Sequence, residues 1–104
     1  MPKETHLKIL KHIEANPCIS QRQLAKELGV SLGKTNYCVQ ALIKKGLLKV
    51  DNFKYSSHKM SYLYILTPKG IDEKVRLTAG FLKRKIAEHR KITEEIEQLK
   101  RDTQ

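Results

Sequence analysis

The run Ser20-Gln21-Arg22-Gln23-Leu24-Ala25-Lys26-Glu27-Leu28-Gly29-Val30-Ser31-Leu32-Gly33-Lys34-Thr35-Asn36-Tyr37 decides how the rest of this 104-residue chain is read. Ser20 with Gln23 three residues later is a capping box. Ser20 is placed to accept the Gln23 amide hydrogen, and the Gln23 side chain to reach back. Leu24, Ala25 and Leu28 then make the inner face of a helix that Gly29 stops. Only Gly29 and Val30 separate it from Ser31, a good N-cap for a further helix expected to end at Gly46. Two short helices joined by a tight glycine-containing turn outline a helix-turn-helix.

Upstream, Leu7, Leu10 and Ile13 recur at helical spacing with Ile9 beside them, which predicts a first helix over residues 4–15. Asn16-Pro17 ends it, because a proline pushes its predecessor out of the α region. Downstream of Gly46 the period changes. Leu47-Leu48-Lys49-Val50 and Tyr62-Leu63-Tyr64-Ile65-Leu66 are rich in β-branched and aromatic residues and read as two strands. The polar stretch 51–61 between them reads as a long hairpin tip. Thr67-Pro68 restarts a helix, with Thr67 as cap and proline at the first position. That helix is expected to reach about Arg101, with a weak point at Thr78-Ala79-Gly80, and spans about 50 Å if unbroken. The order predicts a mainly α fold with a small β-hairpin: a winged helix-turn-helix plus a long C-terminal dimerisation helix. Residues 1–67 form the expected DNA-binding domain and 68–104 the C-terminal helix.

Composition supports a polyanion partner. The chain carries 21 Lys and Arg against 11 Asp and Glu, net +10, with 31% charged and 39% hydrophobic residues and no Trp. That is too apolar for a disordered chain and enough for one small domain. A small protein this basic usually meets nucleic acid, less often an anionic membrane surface. The excess is uneven: residues 1–67 hold eleven basic and four acidic side chains, whereas 68–104 hold ten and seven. No apolar run is long enough to span a bilayer, and Met1-Pro2-Lys3-Glu4-Thr5-His6 has no signal-peptide core, so a cytoplasmic protein is expected. Cys18 and Cys38 lie twenty apart without C-x-x-C spacing, which indicates no disulfide scaffold.

On a helical wheel, Gly33, Asn36, Tyr37, Gln40 and Lys44 share one arc, while Leu32, Thr35, Val39, Leu42 and Ile43 gather on the other side to pack on the first two helices. The polar arc suits double-stranded DNA. Asn36 and Gln40 are one turn apart, and either can pair bidentately with an adenine edge. Gly33 lets the helix end approach closely, Ser31 and the free amides beside it suit a phosphate, and Tyr37 suits a thymine methyl or a backbone oxygen. Lys34 and Lys45 flank the arc. In the wing, Lys54, Ser56, Ser57, His58 and Lys59 fit backbone or minor-groove contacts, with Phe53 and Tyr55 as anchors. The competing reading of the arc is an ordinary solvated helix face.

Ser31-Leu32-Gly33-Lys34-Thr35-Asn36-Tyr37-Cys38, continuing through Ala41-Leu42-Ile43-Lys44-Lys45-Gly46-Leu47, resembles the MarR-type winged-helix regulators associated with exopolysaccharide gene clusters. Asn52-Phe53-Lys54, Tyr62-Leu63-Tyr64, Leu66-Thr67-Pro68-Lys69-Gly70-Ile71 and Leu77-Thr78-Ala79-Gly80-Phe81-Leu82-Lys83-Arg84-Lys85 extend the resemblance over nearly the whole chain. The resemblance implies a bacterial DNA-binding transcriptional regulator, acting as a dimer and tied to polysaccharide export or synthesis. Full-length MarR proteins carry a dimerisation helix ahead of the first helix read here; without it, dimerisation is expected to fall to the C-terminal helix, and the effector is left open.

In that helix, Leu82, Ile86, His89, Ile92, Ile96 and Leu99 follow steps of four, three, three, four and three, a coiled-coil-like stripe with one imperfect step. A homodimer is the economical partner, since a chain this small has little body to cover such a face. The basic run 83–85 and the acidic run 94–97 would complement each other in an antiparallel pair. The alternatives are a helix folded back on its own domain, or one that docks a larger protein assembly.

Other signals are weak. Gly29 to Thr35 resembles a phosphate-binding loop but is one residue short and follows a helix. His6, His12, His58 and His89 are scattered without metal-ligand spacing, so neither metal nor cofactor is expected. Cys38 reads as a small buried hydrophobe. No catalytic set stands out, and an enzyme is not expected.

Overall fold

The computed structural model describes residues 3–55 and 59–104, and for residues 52–55 and 59–62 the backbone alone. The order is α1 (Lys3–Ala15), α2 (Gln21–Leu28), α3 (Leu32–Lys44), β1 (Leu48–Tyr55), β2 (Lys59–Leu66) and α4 (Pro68–Asp102). The fold is mainly helical with one two-stranded antiparallel hairpin.

The helix ends follow from local chemistry. Ser20 Oγ accepts from the Gln23 amide at 3.0 Å, and Ser31 Oγ from the Lys34 amide at 3.1 Å. The reciprocal arm expected of Gln23 is not formed; its side-chain amide donates instead to Glu27, one turn on, at 3.3 Å. Gly29 sits at φ 71°, a left-handed conformation that side chains with a Cβ rarely adopt. There the Val30 amide closes on the Ala25 carbonyl at 3.1 Å. The same device ends α3, where the Leu47 amide reaches the Leu42 carbonyl at 3.0 Å and the Gly46 amide the Ile43 carbonyl at 2.9 Å. Leu42 and Leu47, the apolar pair this motif favours, are both buried.

The core gathers the inner faces of three helices on the hairpin root. Ile9, Leu10 and Ile13 of α1, Leu24 of α2 and Val39 and Leu42 of α3 are fully buried, joined by Leu48 and Tyr64 from the strands and Leu77 from α4. Cys38 is buried there too, as its position beside the core face suggested. The Tyr64 amide donates to the Pro17 carbonyl at 2.9 Å, stitching the α1–α2 connection onto β2.

Two expectations need correction. The hairpin has no long tip over 51–61: the ladder runs from Leu48 opposite Leu66 to Tyr55 opposite Lys59. Strand pairing satisfies backbone groups whatever the side chains, so polar Asp51 and Asn52 stay in the ladder. Leu32 is not packed on α1 and α2 but stands 44% exposed, because it opens α3 before the helix has turned into the core. The weak point at Gly80 does not break α4, which is continuous over 35 residues.

A dense joint ties α4 to the end of α3. Thr67 Oγ1 donates to the Gly46 carbonyl and accepts from the Gly70 amide, while the Thr67 amide donates to the Leu47 carbonyl at 3.1 Å. A Cβ on Gly70 would run into that same Leu47 carbonyl, so only glycine allows the approach. Beyond the joint α4 leaves the body. The long dimension reaches 71 Å and the radius of gyration 18.7 Å, against about 13 Å for a compact chain of this length.

Candidate nucleic-acid interface

One face of α3 is turned outward. Gly33, Asn36, Tyr37, Gln40 and Lys44 are exposed together, Tyr37 to 70%, while Thr35, Val39 and Leu42 of the same helix are buried. Thr35 spends its hydroxyl on the Ser31 carbonyl at 3.0 Å. That bond holds the first turn of α3 and removes Thr35 from the outer face. Ser31 and Lys34 lie exposed at the same helix end, with the Ser31 hydroxyl engaged in capping.

Gly33, Asn36 and Gln40 line one wall of an open groove of about 1050 Å³. Ser20, Gln21 and Arg22 of the α2 start form the opposite rim, and the floor is apolar: Ile19, Leu32, Ile43, Val50 and Tyr64. Gln21 Nε2 donates to the Tyr64 hydroxyl at 3.1 Å, which pins the α2 start to the hairpin. The groove is therefore a polar trough on an apolar base, open to solvent along the reading face of α3. The N-terminal end of α2 opens on it directly, with Arg22 exposed there, and the unpaired amides of that helix end favour an anion.

Gln21 and Arg22 were not among the residues singled out from sequence. Their signal was the capping box at Ser20, which places the first turn of α2, but only tertiary packing brings that turn across from Asn36 and Gln40. In the wing, the register sets Lys54 opposite Met60 and Lys59 opposite Tyr55 at the outer end of the ladder. Ser56, Ser57 and His58 lie outside the described residues, as do the side chains of Lys54 and Lys59.

The apolar stripe of α4 is a second, separate surface. Leu82, Ile86, Ile92, Ile96 and Leu99 are 46–63% exposed, and His89 is exposed among them. Val75, at 64%, belongs with the stripe, whereas Phe81 packs against the core with Arg84 and Lys85 over its ring at 5.6 and 5.1 Å. The fold-back alternative is thereby corrected: α4 meets its own body through Gly70, Leu77 and Phe81, and the stripe lies on another arc. Among the described residues no His, Cys, Asp or Glu cluster is arranged to hold a metal, and no helix is long and apolar enough to cross a membrane.

Residues 3–49, the segment that builds α1 to α3 and enters β1, match the family model described as winged helix-turn-helix DNA-binding. The chain folds as a winged helix-turn-helix. No curated protein matches it by sequence. Among solved structures it is similar to the PcaV transcriptional regulator of Streptomyces coelicolor (TM-score 0.62, 23% identity, 76% of this chain on 57% of that one). It is also similar to MarR of Staphylococcus aureus, solved with salicylate and kanamycin (0.61, 20%, 83% on 56%). The adhesin competence repressor AdcR of Streptococcus pyogenes gives a TM-score of 0.68 at 18% identity, with 86% of this chain on 65% of that one. At these identities the likeness shows the fold, and the chain spans less than two thirds of the length of each of the three.

Proposed function

We propose that this protein is a sequence-specific, double-stranded-DNA-binding transcriptional regulator of the MarR type, acting in the cytoplasm as a homodimer on genes related to exopolysaccharide. The observation that carries the reading is the outward arc of Gly33, Asn36, Tyr37, Gln40 and Lys44, set beside a trough whose far rim is the α2 start. Asn36 and Gln40 supply amides for base edges. Ser31, Lys34 and Lys44, with Arg22 across the trough, supply donors for phosphates. Lys54, Ser56, Ser57, His58 and Lys59 of the wing would add backbone contacts. The link to exopolysaccharide genes rests on the resemblance of the Ser31–Cys38 run and its flanks, and the homodimer on the exposed stripe of α4.

The test is binding to duplex DNA from upstream of the protein's own operon, titrated with salt against a scrambled duplex. Tight binding to the native duplex alone, shared by two protomers, is the expected result. Equal weak binding to both, lost together as salt rises, would reduce the net +10 to nonspecific attraction. The second reading, a protein-interaction module docking a larger assembly, draws on the same exposed stripe. It predicts no duplex preference.

A further inference from the structure

We infer that α4 pairs antiparallel with α4 of a second copy, about a two-fold axis that passes through His89. This deepens the homodimeric part of the proposal above and rests on it.

The apolar stripe of α4 is symmetric about that residue over residues 82–96, beyond which Leu99 falls level with Ala79. Leu82, Ile86, Ile92 and Ile96 stand seven and three residues before His89 and three and seven after it. A parallel pair needs only a repeat; an antiparallel pair related by a two-fold axis needs each residue before the axis to match one equally far beyond it. In this register Leu82 meets Ile96 of the second copy, Ile86 meets Ile92, and His89 meets its own counterpart. The three-plus-three step that spoils a regular heptad falls at the axis, where each copy presents it to the other. Lys85 falls level with Thr93 of the second copy, and its ammonium is drawn off the contact face toward Glu88 of its own chain at 3.2 Å and over the Phe81 ring.

The charges off the stripe follow the same symmetry: Arg76 is matched by Asp102, Lys83 by Glu95, Arg84 by Glu94 and Glu88 by Arg90, each opposite in sign. These side chains lie about 100–140° from the direction of His89, outside the contact face, so they form no ion pairs across it. Antiparallel copies set the basic run 83–85 level with the acidic run 94–97, whereas a parallel, in-register pair sets like charge level with like, a long-range preference that salt screens.

The body of each protomer is compatible with this pairing. At ~100° per residue, Leu82, His89 and Ile96 point within about 20° of one direction, with Ile86 and Ile92 about 60° to either side. Gly70, Leu77 and Phe81, which face the protomer's own body, centre about 100° away from that direction. The body thus leaves α4 nearly perpendicular to the plane of the paired helices. A two-fold axis normal to that plane keeps both bodies on one side. Their Leu77 anchors then stand ~36 Å apart along the pair, about one turn of DNA.

Disulfide trapping in the full chain tests the register, in a Cys18→Ser background because Cys18 is exposed while Cys38 is buried. His89→Cys should oxidise to a linked dimer, Leu82→Cys alone should not, and Leu82→Cys combined with Ile96→Cys should. Efficient linking by Leu82→Cys alone means a parallel pair and overturns the inference. A two-chain mass by sedimentation equilibrium with no link from any of the three variants places the dimer elsewhere and also overturns it, while leaving the dimeric regulator standing. A single-chain mass at every concentration removes the dimer itself, and operator binding is then read separately from the duplex assay.

Discussion

The body of this protein and its C-terminal helix use the same kind of residue to opposite ends. Ile9, Leu10 and Ile13 on α1 are wholly enclosed, whereas Leu82, Ile86, Ile92 and Ile96 on α4 each keep roughly half their surface in water. Both runs are amphipathic helices with aliphatic faces. In the body three short helices and a hairpin close on one another within the chain. The far half of α4 has no neighbour among the described residues of the body, and in the dimer proposed above its face is covered by a second copy. On that proposal, stability is a property of one chain in the body and of an assembly in the arm.

Truncation on the two sides of this divide is the largest contrast. Leu42→Ala, in the body, should lower unfolding free energy by about 2–5 kcal/mol, read by urea denaturation at any protein concentration. Ile96→Ala should leave the body's own transition in place and act on self-association, read by sedimentation at increasing concentration. Equal loss of body stability from both would break the comparison. The joint between the regions is the next most sensitive point. Gly70→Ala pushes a Cβ into the Leu47 carbonyl that the Thr67 amide also holds, and should cost about 1–3 kcal/mol.

The reading face gives an effect of similar size in a different observable. Asn36→Ala and Gln40→Ala remove exposed side chains, so the melting temperature should hold. Each should relax discrimination at one base position by about 1–3 kcal/mol, measured as the affinity ratio between operator and single-base variants. Arg22→Ala, across the trough, should instead weaken all duplexes alike and lower the salt slope by about one. A loss of base preference from Arg22→Ala would move the reading surface from α3 toward α2.

What could be read from sequence divides along the same line. Ser20, Gly29, Ser31, Gly46 and Thr67 act through hydrogen bonds to residues three to five away, so the helix limits were legible before any packing was known. The burial of Val39 and Leu42 was legible from period alone. The floor of the trough was not, because Ile19, Val50 and Tyr64 meet only once the hairpin folds against the α1–α2 connection. The length of the hairpin was missed because Asp51 and Asn52 have turn-like side chains, yet their backbone groups find partners on β2. The stripe on α4 was visible as a stripe. Its symmetry about His89 became informative when the structure showed which arc of that helix the body already occupies.

The smallest effect concerns His6, a titratable group on the enclosed side of the divide. It is buried on α1, and its Nε2 has no hydrogen-bond partner among the described residues. Burial, and then the Lys45 ammonium, hold its pKa below the usual 6.5, with Glu73 pulling weakly the other way. A histidine held neutral in the fold binds its proton first in the unfolded chain. Its contribution to stability is therefore complete above about pH 6.5 and declines as the pH falls from there toward the folded value. Thermal unfolding should shift to lower temperature across that window, and His6→Leu should flatten the shift by removing the group that titrates. Salt should change the result little, since desolvation and not a surface charge is the leading cause. An unchanged slope in His6→Leu would overturn this assignment and place the acid sensitivity in groups other than His6.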